Sequence, residues 1–346
     1  MKHGILLINL GTPDAPTTSA VRRYLRQFLN DPRVIDIHPI GRWLLLNLIV
    51  LPFRPAKSAA AYRAIWDKDH GSPLLHYGLE VRDKLAQRVS SDIKVVLGMR
   101  YGNPSIESAL KELQAANCQS IQVLPLFPQY SSAATGSAIA ETMRIVQGAW
   151  DIPDVFFHSD FHAHPAFIDA VAQVSKPHIE NFKPDHLLFS YHGLPERHVQ
   201  KSDDPTTNQC DLQGPCPVIG AGNRYCYRAQ CYASTEAIAK MLDLEAAEYS
   251  VSFQSRLGRT PWIKPYTDLV LPELYAKGVR KLALISPSFV ADCLETVEEI
   301  GIRTKAQWLE LGGEDLIIVP CLNAEDVWID GLTRILQEKT KAQLLA

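Results

Sequence analysis

Two periodicities alternate along this chain. Short runs that are apolar at consecutive positions end on glycine or proline, and between them lie longer segments whose apolar residues recur at helical spacing. The runs at 4–10, 94–99, 120–126, 186–191, 247–253, 281–286 and 316–319 predict strands. The segments 17–29, 73–89, 105–115, 133–147, 164–175, 266–277 and 324–336 predict helices. Strands without polar alternation are buried on both faces, and the intervening helices supply the cover. The fold class is therefore α/β with parallel sheets.

The pattern occurs twice. ILLINLGTPD (5–14) is echoed by LLFSYHGLPE (187–196), with Gly11 over Gly193 and Pro13 over Pro195. MRYGNP (99–104) is echoed by QSRLGRTP (254–261), with Arg100 over Arg256 and Gly102 over Gly258. VLPLFPQYSSAATG (123–136) is echoed by LISPSFVADCLET (284–296), with Phe127 near Phe289. Three landmarks in one order predict two α/β halves related by duplication and joined near 160–183. The expected divisions are an N-terminal half at 1–165, a C-terminal half at 166–322, and a C-terminal helix at 323–346 packing back on the body. Such sheets bind ligands at their strand C-termini, which places an expected cleft between the halves. The first half carries an excess at 40–70 that includes WLLLNLIVLPF (43–53). This stretch reads either as an apolar lip touching a hydrophobic ligand or membrane surface, or as a core helix.

Composition narrows the class. With 346 residues and 46% hydrophobic content there is chain enough for a large core in two lobes. A net charge of −3 gives no basic field for nucleic acid. The start MKHGILLINLGTP lacks a signal-peptide pattern, and 43–53 falls short of the ~20 residues of a span. The expectation is a cytoplasmic protein, with 43–53 as a peripheral contact at the inner face of the membrane. Its seven cysteines are then reduced thiols or metal ligands.

Two places carry candidate chemistry. His192 closes a buried-type strand and is followed by Gly193 and Pro195, which suits a base or metal ligand, or a histidine satisfied by a backbone carbonyl. Asp292, Glu295 and Glu299 share one face of a predicted α-helix, and Glu298 falls off that row. Carboxylates so placed need a cation or proton among them, or form a solvated acidic first turn. No glycine-rich phosphate fingerprint, HExxH or serine elbow is present, which disfavours nucleotide and hydrolase chemistry.

The segment 208–231 holds Cys210, Cys216, Cys226 and Cys231 in a C-x5-C-x9-C-x4-C spacing unlike that of zinc fingers. Cys226 and Cys231 would lie about 140° apart on a regular α-helix. A helix starting near Gln230 would let Cys226 approach from the loop and Cys231 from the first turn, with Arg224 and Arg228 offsetting charge. An iron–sulfur cluster, a structural Zn2+ and unligated thiols all stay open. Cys118, Cys293 and Cys321 are scattered and read as buried free thiols.

LINLGTP, RYGNP, LPLFPQYSSAATGS, FSYHGLPERH, SFQSRLGRTPWIKPYTD and ADCLETVEEI together resemble the motifs of ferrochelatases, in family order from residue 6 to residue 300, and the helix after Asn323 also fits. The resemblance is to bacterial members with an internal four-cysteine segment. It implies two Rossmann-like halves around a central porphyrin cleft, a class II chelatase-like fold. The implied reaction is insertion of ferrous iron into protoporphyrin IX, the terminal step of haem synthesis. It implies that His192 and Glu295 are the catalytic, metal-facing pair and that Asp292 and Glu299 extend an acidic track. Leu10, Arg100, Tyr101, Ser131, Ser132 and Trp262 match porphyrin-contact positions, with Leu10 too apolar to ligate, and Thr135 and Ser137 join the hydroxyls suited to a carboxylate. The resemblance further implies a [2Fe-2S] cluster on Cys210, Cys216, Cys226 and Cys231, against Zn2+ or no metal. One departure stands out: many relatives carry His where this chain has Cys293, which puts a second-histidine relay in doubt. Other readings are a coproporphyrin III ferrochelatase, a cobalt or nickel chelatase, and a non-catalytic tetrapyrrole or metal carrier. A carrier would not need both His192 and Glu295.

Overall fold

The computed structural model describes residues 2–202, 210–212, 214–258 and 260–344. The chain divides into two compact units. One comprises Met1–Phe127, Ser131–Asp160 and Leu332–Ala346, the other Pro128–Tyr130 and Phe161–Gly331.

Each unit is built on a four-stranded parallel sheet. In the first unit β1 (His3–Thr12), β2 (Ile93–Gly102), β3 (Ser120–Pro125) and β4 (Asp154–Phe157) lie in the order β2-β1-β3-β4. In the second, β5 (His186–His192), β6 (Tyr249–Gln254), β7 (Lys281–Ile285) and β8 (Asp315–Ile318) lie in the same order, β6-β5-β7-β8. The apolar runs form buried strands because helices cover them. Leu6, Ile8, Val96, Ile121 and Val123 pack with Ile106, Leu110 and Leu113 of the helix Ile106–Ala115. Leu188, Leu282, Leu284 and Leu316 pack with Leu271, Leu274, Ile300 and Trp308. Full burial of such side chains stabilises by about 1.5–3 kcal/mol each.

The sheets also match at their ends. The Met99 amide donates to the Pro104 carbonyl at 2.6 Å and the Phe253 amide to the Pro265 carbonyl at 2.8 Å. Both prolines follow cis peptide bonds. Asn9 pairs with Met99 and Tyr191 with Phe253, so Leu10 corresponds to His192 and Gly11 to Gly193. A Cβ on Gly11 would lie 1.7 Å from the Tyr101 oxygen, and one on Gly193 would lie 2.8 Å from the Gln254 oxygen. Only glycine lets the neighbouring strand's carbonyl pass there in either unit. This register corrects one landmark of the sequence echo. Arg100 corresponds to Gln254, not Arg256, and Pro104 to Pro265, not Pro261. The connection from β6 to its proline is the longer one, and a gapless match cannot carry the insertion.

Other elements depart from expectation. β4 is an edge strand of four residues, none of them buried, so burial imposes no apolar run on it. The helix Pro165–Phe182 continues through Pro177 and ends at Lys183 in the left-handed region. Residues 43–53 belong to a continuous helical run, Pro39–Leu44, the π-turn Leu45–Val50 and Leu51–Ile65. Leu46, Leu51, Ala59, Tyr62 and Ile65 are buried, and Arg22 of the helix Thr18–Leu29 donates to the Leu51 carbonyl at 3.2 Å. The opposite face is bare, with Ile40 65%, Trp43 58% and Phe53 77% exposed. The core reading holds for the buried side of this helical run, and the exposed side is the one the lip reading requires. By length and a mean hydropathy of 1.2 the run Pro39–Ile65 is long and apolar enough to cross a membrane, which 43–53 alone is not.

Candidate active site

His192 is the last residue of β5, and its surroundings fix its proton. The Nδ1 atom lies 2.6 Å from the Gly193 carbonyl oxygen. A carbonyl only accepts, so Nδ1 carries the hydrogen and Nε2 keeps a lone pair. The rings of Trp262 and Phe289 stand 6.4 Å and 6.3 Å from the imidazole. Trp262 is itself held by its Nε1–H donating to the Leu257 carbonyl at 2.9 Å and by the antiparallel bridge of its backbone to Pro195.

Gln254, the strand neighbour of His192, reaches the backbone of Glu295 with its Nε2 at 3.4 Å and accepts from Ser190 at 2.6 Å. The acidic stretch is not an α-helix. Glu295–Thr304 is a π-helix, whose wider i→i+5 turn puts Glu295 and Glu299 on one face. Asp292 precedes it, which corrects the expected three-carboxylate row. Its carboxylate accepts from Thr296 at 2.9 Å and from Asn323 at 2.7 Å, bracing the helix start. Glu299 accepts from the Ser255 amide at 2.9 Å and the Ser255 hydroxyl at 2.6 Å, with Ser255 at φ 67°. Burial, and after it the charge of Glu295, pushes the Cys293 thiol well up, and the thiol hydrogen-bonds the Glu295 carboxylate. A cavity of about 220 Å3 in this unit is lined by Glu299, Ser255, Arg256, Arg303 and Gln307; neither His192 nor Glu295 lines it.

In the first unit the expected porphyrin contacts are tied to one acid that sequence reasoning missed. Asp31, 4% exposed at its side chain, accepts from Ser137 at 2.5 Å, Arg100 at 2.7 Å and Tyr101 at 2.9 Å. Burial raises its pKa, but the bonds from Ser137, the Arg33 amide and Tyr101 and the charge of Arg100 outweigh that, leaving it below the usual carboxylate value. Burial pushes the Tyr101 phenol up, so it stays a neutral donor. Ser131 caps the π-turn Ser132–Gly136 through the Ala134 amide at 3.1 Å, and Ser132 accepts from Arg33 at 2.8 Å. Thr135 keeps a buried hydroxyl without a partner. Leu10 is half-buried at the position corresponding to His192. Asp31 gave no sequence signal, being one acid in a loop before Pro32.

The helix bearing Cys231 starts at Tyr227, not near Gln230, with Cys226 as its N-cap. Of segment 208–231, residues 208, 209 and 213 lie outside the described residues. Burial pushes the Cys216 thiol up to about 11, with Cys226 and Cys210 adding and Arg228 opposing. Burial also raises Cys231, with Cys226 and Cys216 contributing, whereas Cys210 acts on Cys216. Arg228 ties the loop to the helix through the Gly214 carbonyl at 3.2 Å. No group of three or more His, Cys, Asp or Glu among the described residues is arranged to hold a metal ion.

The ferrochelatase family profile matches residues 2–340. The chain belongs to the ferrochelatase family. A ferrochelatase of Legionella pneumophila is 50% identical over 342 residues, covering 98% of this chain and 100% of that protein. One of Coxiella burnetii is 49% identical over 334 residues, covering 96% and 93%. Among solved structures, SirB from Bacillus subtilis with Fe3+ superposes with a TM-score of 0.53 at 11% identity, covering 98% of this chain and 95% of that one. The sirohydrochlorin chelatase SirB in complex with cobalt gives 0.55 at 9%, with the same coverage. At those identities the likeness speaks for the fold, that of class II chelatases. This ferrochelatase-family enzyme is a metal chelatase, and iron is its substrate.

Proposed function

We propose that the chain inserts Fe2+ into protoporphyrin IX, with His192 as proton acceptor and Glu295 as the carboxylate that receives and passes the metal. Metallation removes two pyrrole protons and needs a desolvated cation. The observation that carries the reading is the hydrogen bond from His192 Nδ1 to the Gly193 carbonyl, which leaves Nε2 as a base flanked by Trp262 and Phe289. Those rings suit the face of a macrocycle. Glu299 continues from Glu295 along the π-helix face, and the Cys293 thiol lies beside the Glu295 carboxylate. Trp262, Leu10 and the hydroxyls of Ser131 and Ser132 serve as porphyrin contacts in this reading. Arg100 and Tyr101 act through Asp31 as a fixed polar base beneath them. The test is anaerobic mixing of protein, Fe2+ and protoporphyrin IX, with coproporphyrin III in parallel, followed by porphyrin fluorescence. Quenching with protoporphyrin at catalytic turnover is expected. Binding without turnover, or faster turnover of coproporphyrin III, overturns the reading.

The same chain carries a second metal reading. Cys216 feels the charges of Cys226 and Cys210, Cys231 those of Cys226 and Cys216, and Arg228 lies beside Cys216; from this neighbourhood the proposal is a [2Fe-2S] cluster on Cys210, Cys216, Cys226 and Cys231. When bound, such a group supplies a cross-link of the loop to the helix. The bare face of the Pro39–Ile65 run further supports peripheral attachment of a cytoplasmic protein to a membrane.

A further inference from the structure

The hydroxyl of Tyr227 joins the thiol-bearing helix to the strand end that carries His192. Tyr227 opens the helix Tyr227–Met241, and its side chain is buried. Its Oη donates to the His192 carbonyl at 2.8 Å. The His192 amide donates to Ser288 Oγ at 3.2 Å, and Ser288 is hydrogen-bonded to Tyr227 in turn. The Gly193 amide, in the same peptide plane as the His192 carbonyl, donates to the Gln254 carbonyl at 2.8 Å. The plane between His192 and Gly193 is thus held at both ends. The Gly193 carbonyl, one bond further on, receives the imidazole Nδ1–H. The proton count closes: Tyr227 gives its hydrogen to His192, Ser288 gives its own to Tyr227, and the His192 amide goes to Ser288. The Cys231 thiol acts on the same hydroxyl, which itself is bonded to the His192 carbonyl.

We propose that Tyr227 is a positioning residue for His192, fixing the peptide plane that aims Nε2 and linking it to Cys231. The proposal rests on the reading of His192 as the base. A phenol is a stiff support, with few side-chain torsions, and it is locked here by burial. A displacement of about 1 Å in a reacting group costs roughly a hundredfold in rate, so loss of one of two supports is expected to cost roughly tenfold.

The test is Tyr227→Phe in the full chain, read by steady-state kinetics and by the 15N resonances of the His192 ring, assigned by their loss in His192→Ala. A roughly tenfold lower kcat, an unchanged KM for protoporphyrin and shifted or broadened His192 resonances are expected. A folded variant with wild-type kcat and unmoved resonances overturns the proposal, whatever its Tm. Should Tyr227→Phe fail to fold, Ser288→Ala removes the other support and must give the same signature; wild-type behaviour there overturns it equally. Cys231→Ala should move the His192 resonances in the native background and not beside Tyr227→Phe. Equal effects in both backgrounds exclude the route through Tyr227. Retained turnover in His192→Ala removes the catalytic reading and with it the kinetic half of this inference, while the resonances still report the clamp.

Discussion

Leu10 and His192 hold the same place in two copies of one sheet: each follows the residue paired with the strand neighbour, Asn9 with Met99 and Tyr191 with Phe253. The repeat supplies two equivalent strand ends, and only one bears a group that can take a proton. His192→Ala should lower kcat by roughly 10²–10⁴-fold with protoporphyrin affinity retained. Leu10→Ala should leave kcat within a few-fold and act on KM instead. Anaerobic turnover and fluorescence titration of both variants separate these effects, and near-normal rates in His192→Ala would falsify its role.

The three acids near the π-helix should part company. Glu295→Gln should abolish turnover. Asp292→Ala should act on stability, because it leaves Thr296 and Asn323 without their acceptor. Loss of such bonds costs about 1–3 kcal/mol, readable as a lower urea midpoint at unchanged m. If Asp292→Ala instead kept its stability and lost turnover, the expected acidic track would be restored.

Asp31 makes a pH-dependent contribution of known sign. Its folded pKa lies below the unfolded value of about 3.9, because Ser137, the Arg33 amide, Tyr101 and Arg100 outweigh burial. The unfolded chain therefore takes up this proton first on acidification. The stability that ionised Asp31 supplies is complete above the unfolded pKa and is lost as pH falls through the folded one. Asp31→Asn should be less stable at pH 7 and should lose less on going to pH 3. Asp31→Ala removes the acceptor shared by Ser137, Arg100 and Tyr101, at a cost of about 1–3 kcal/mol. Denaturant midpoints against pH for the three proteins check this.

The legibility of the chain divides along physical lines. Strands covered by helices declare themselves because burial demands unbroken apolar runs, and the landmark glycines Gly11 and Gly193 because a carbonyl passes where a Cβ would stand. The edge strand β4 buries none of its four residues, whereas the equally short edge strand β8 buries Leu316 and is legible. The π-turn at Glu295–Thr304 differs from an α-helix by one residue in its bonding, and apolar spacing does not register that, so Asp292 was read onto a face it does not share. Long-range partners left no trace at all. Nothing in the order of residues says that Asp31 gathers Arg100, Tyr101 and Ser137, or that Tyr227 reaches back to His192.

The bare face of Pro39–Ile65 predicts reversible membrane attachment. Trp43 and Phe53 are its most exposed aromatics, and the buried side of the helix holds it on the first unit. Trp43→Glu with Phe53→Glu should reduce co-sedimentation with phospholipid vesicles several-fold without lowering Tm. Wild-type sedimentation in that variant, or no sedimentation of the native chain, would refute the attachment.

Anaerobically purified protein should show ferredoxin-like visible bands if the four thiols hold a [2Fe-2S] cluster, and Cys226→Ser should abolish them. Cys226 is the decisive choice because it stands at the N-cap of the helix Tyr227–Met241 and its charge acts on both Cys216 and Cys231. Cys118→Ser, remote from that group in sequence and affected by Lys2 and Lys94 instead, should leave the bands intact. A cluster that ties the loop through Cys216 to the helix through Cys231 should also slow urea unfolding, so Cys226→Ser should unfold faster as well as lose colour. Colourless native protein with iron and sulfide below stoichiometric amounts would leave Cys210, Cys216, Cys226 and Cys231 as unligated thiols, with burial keeping Cys216 and Cys231 protonated.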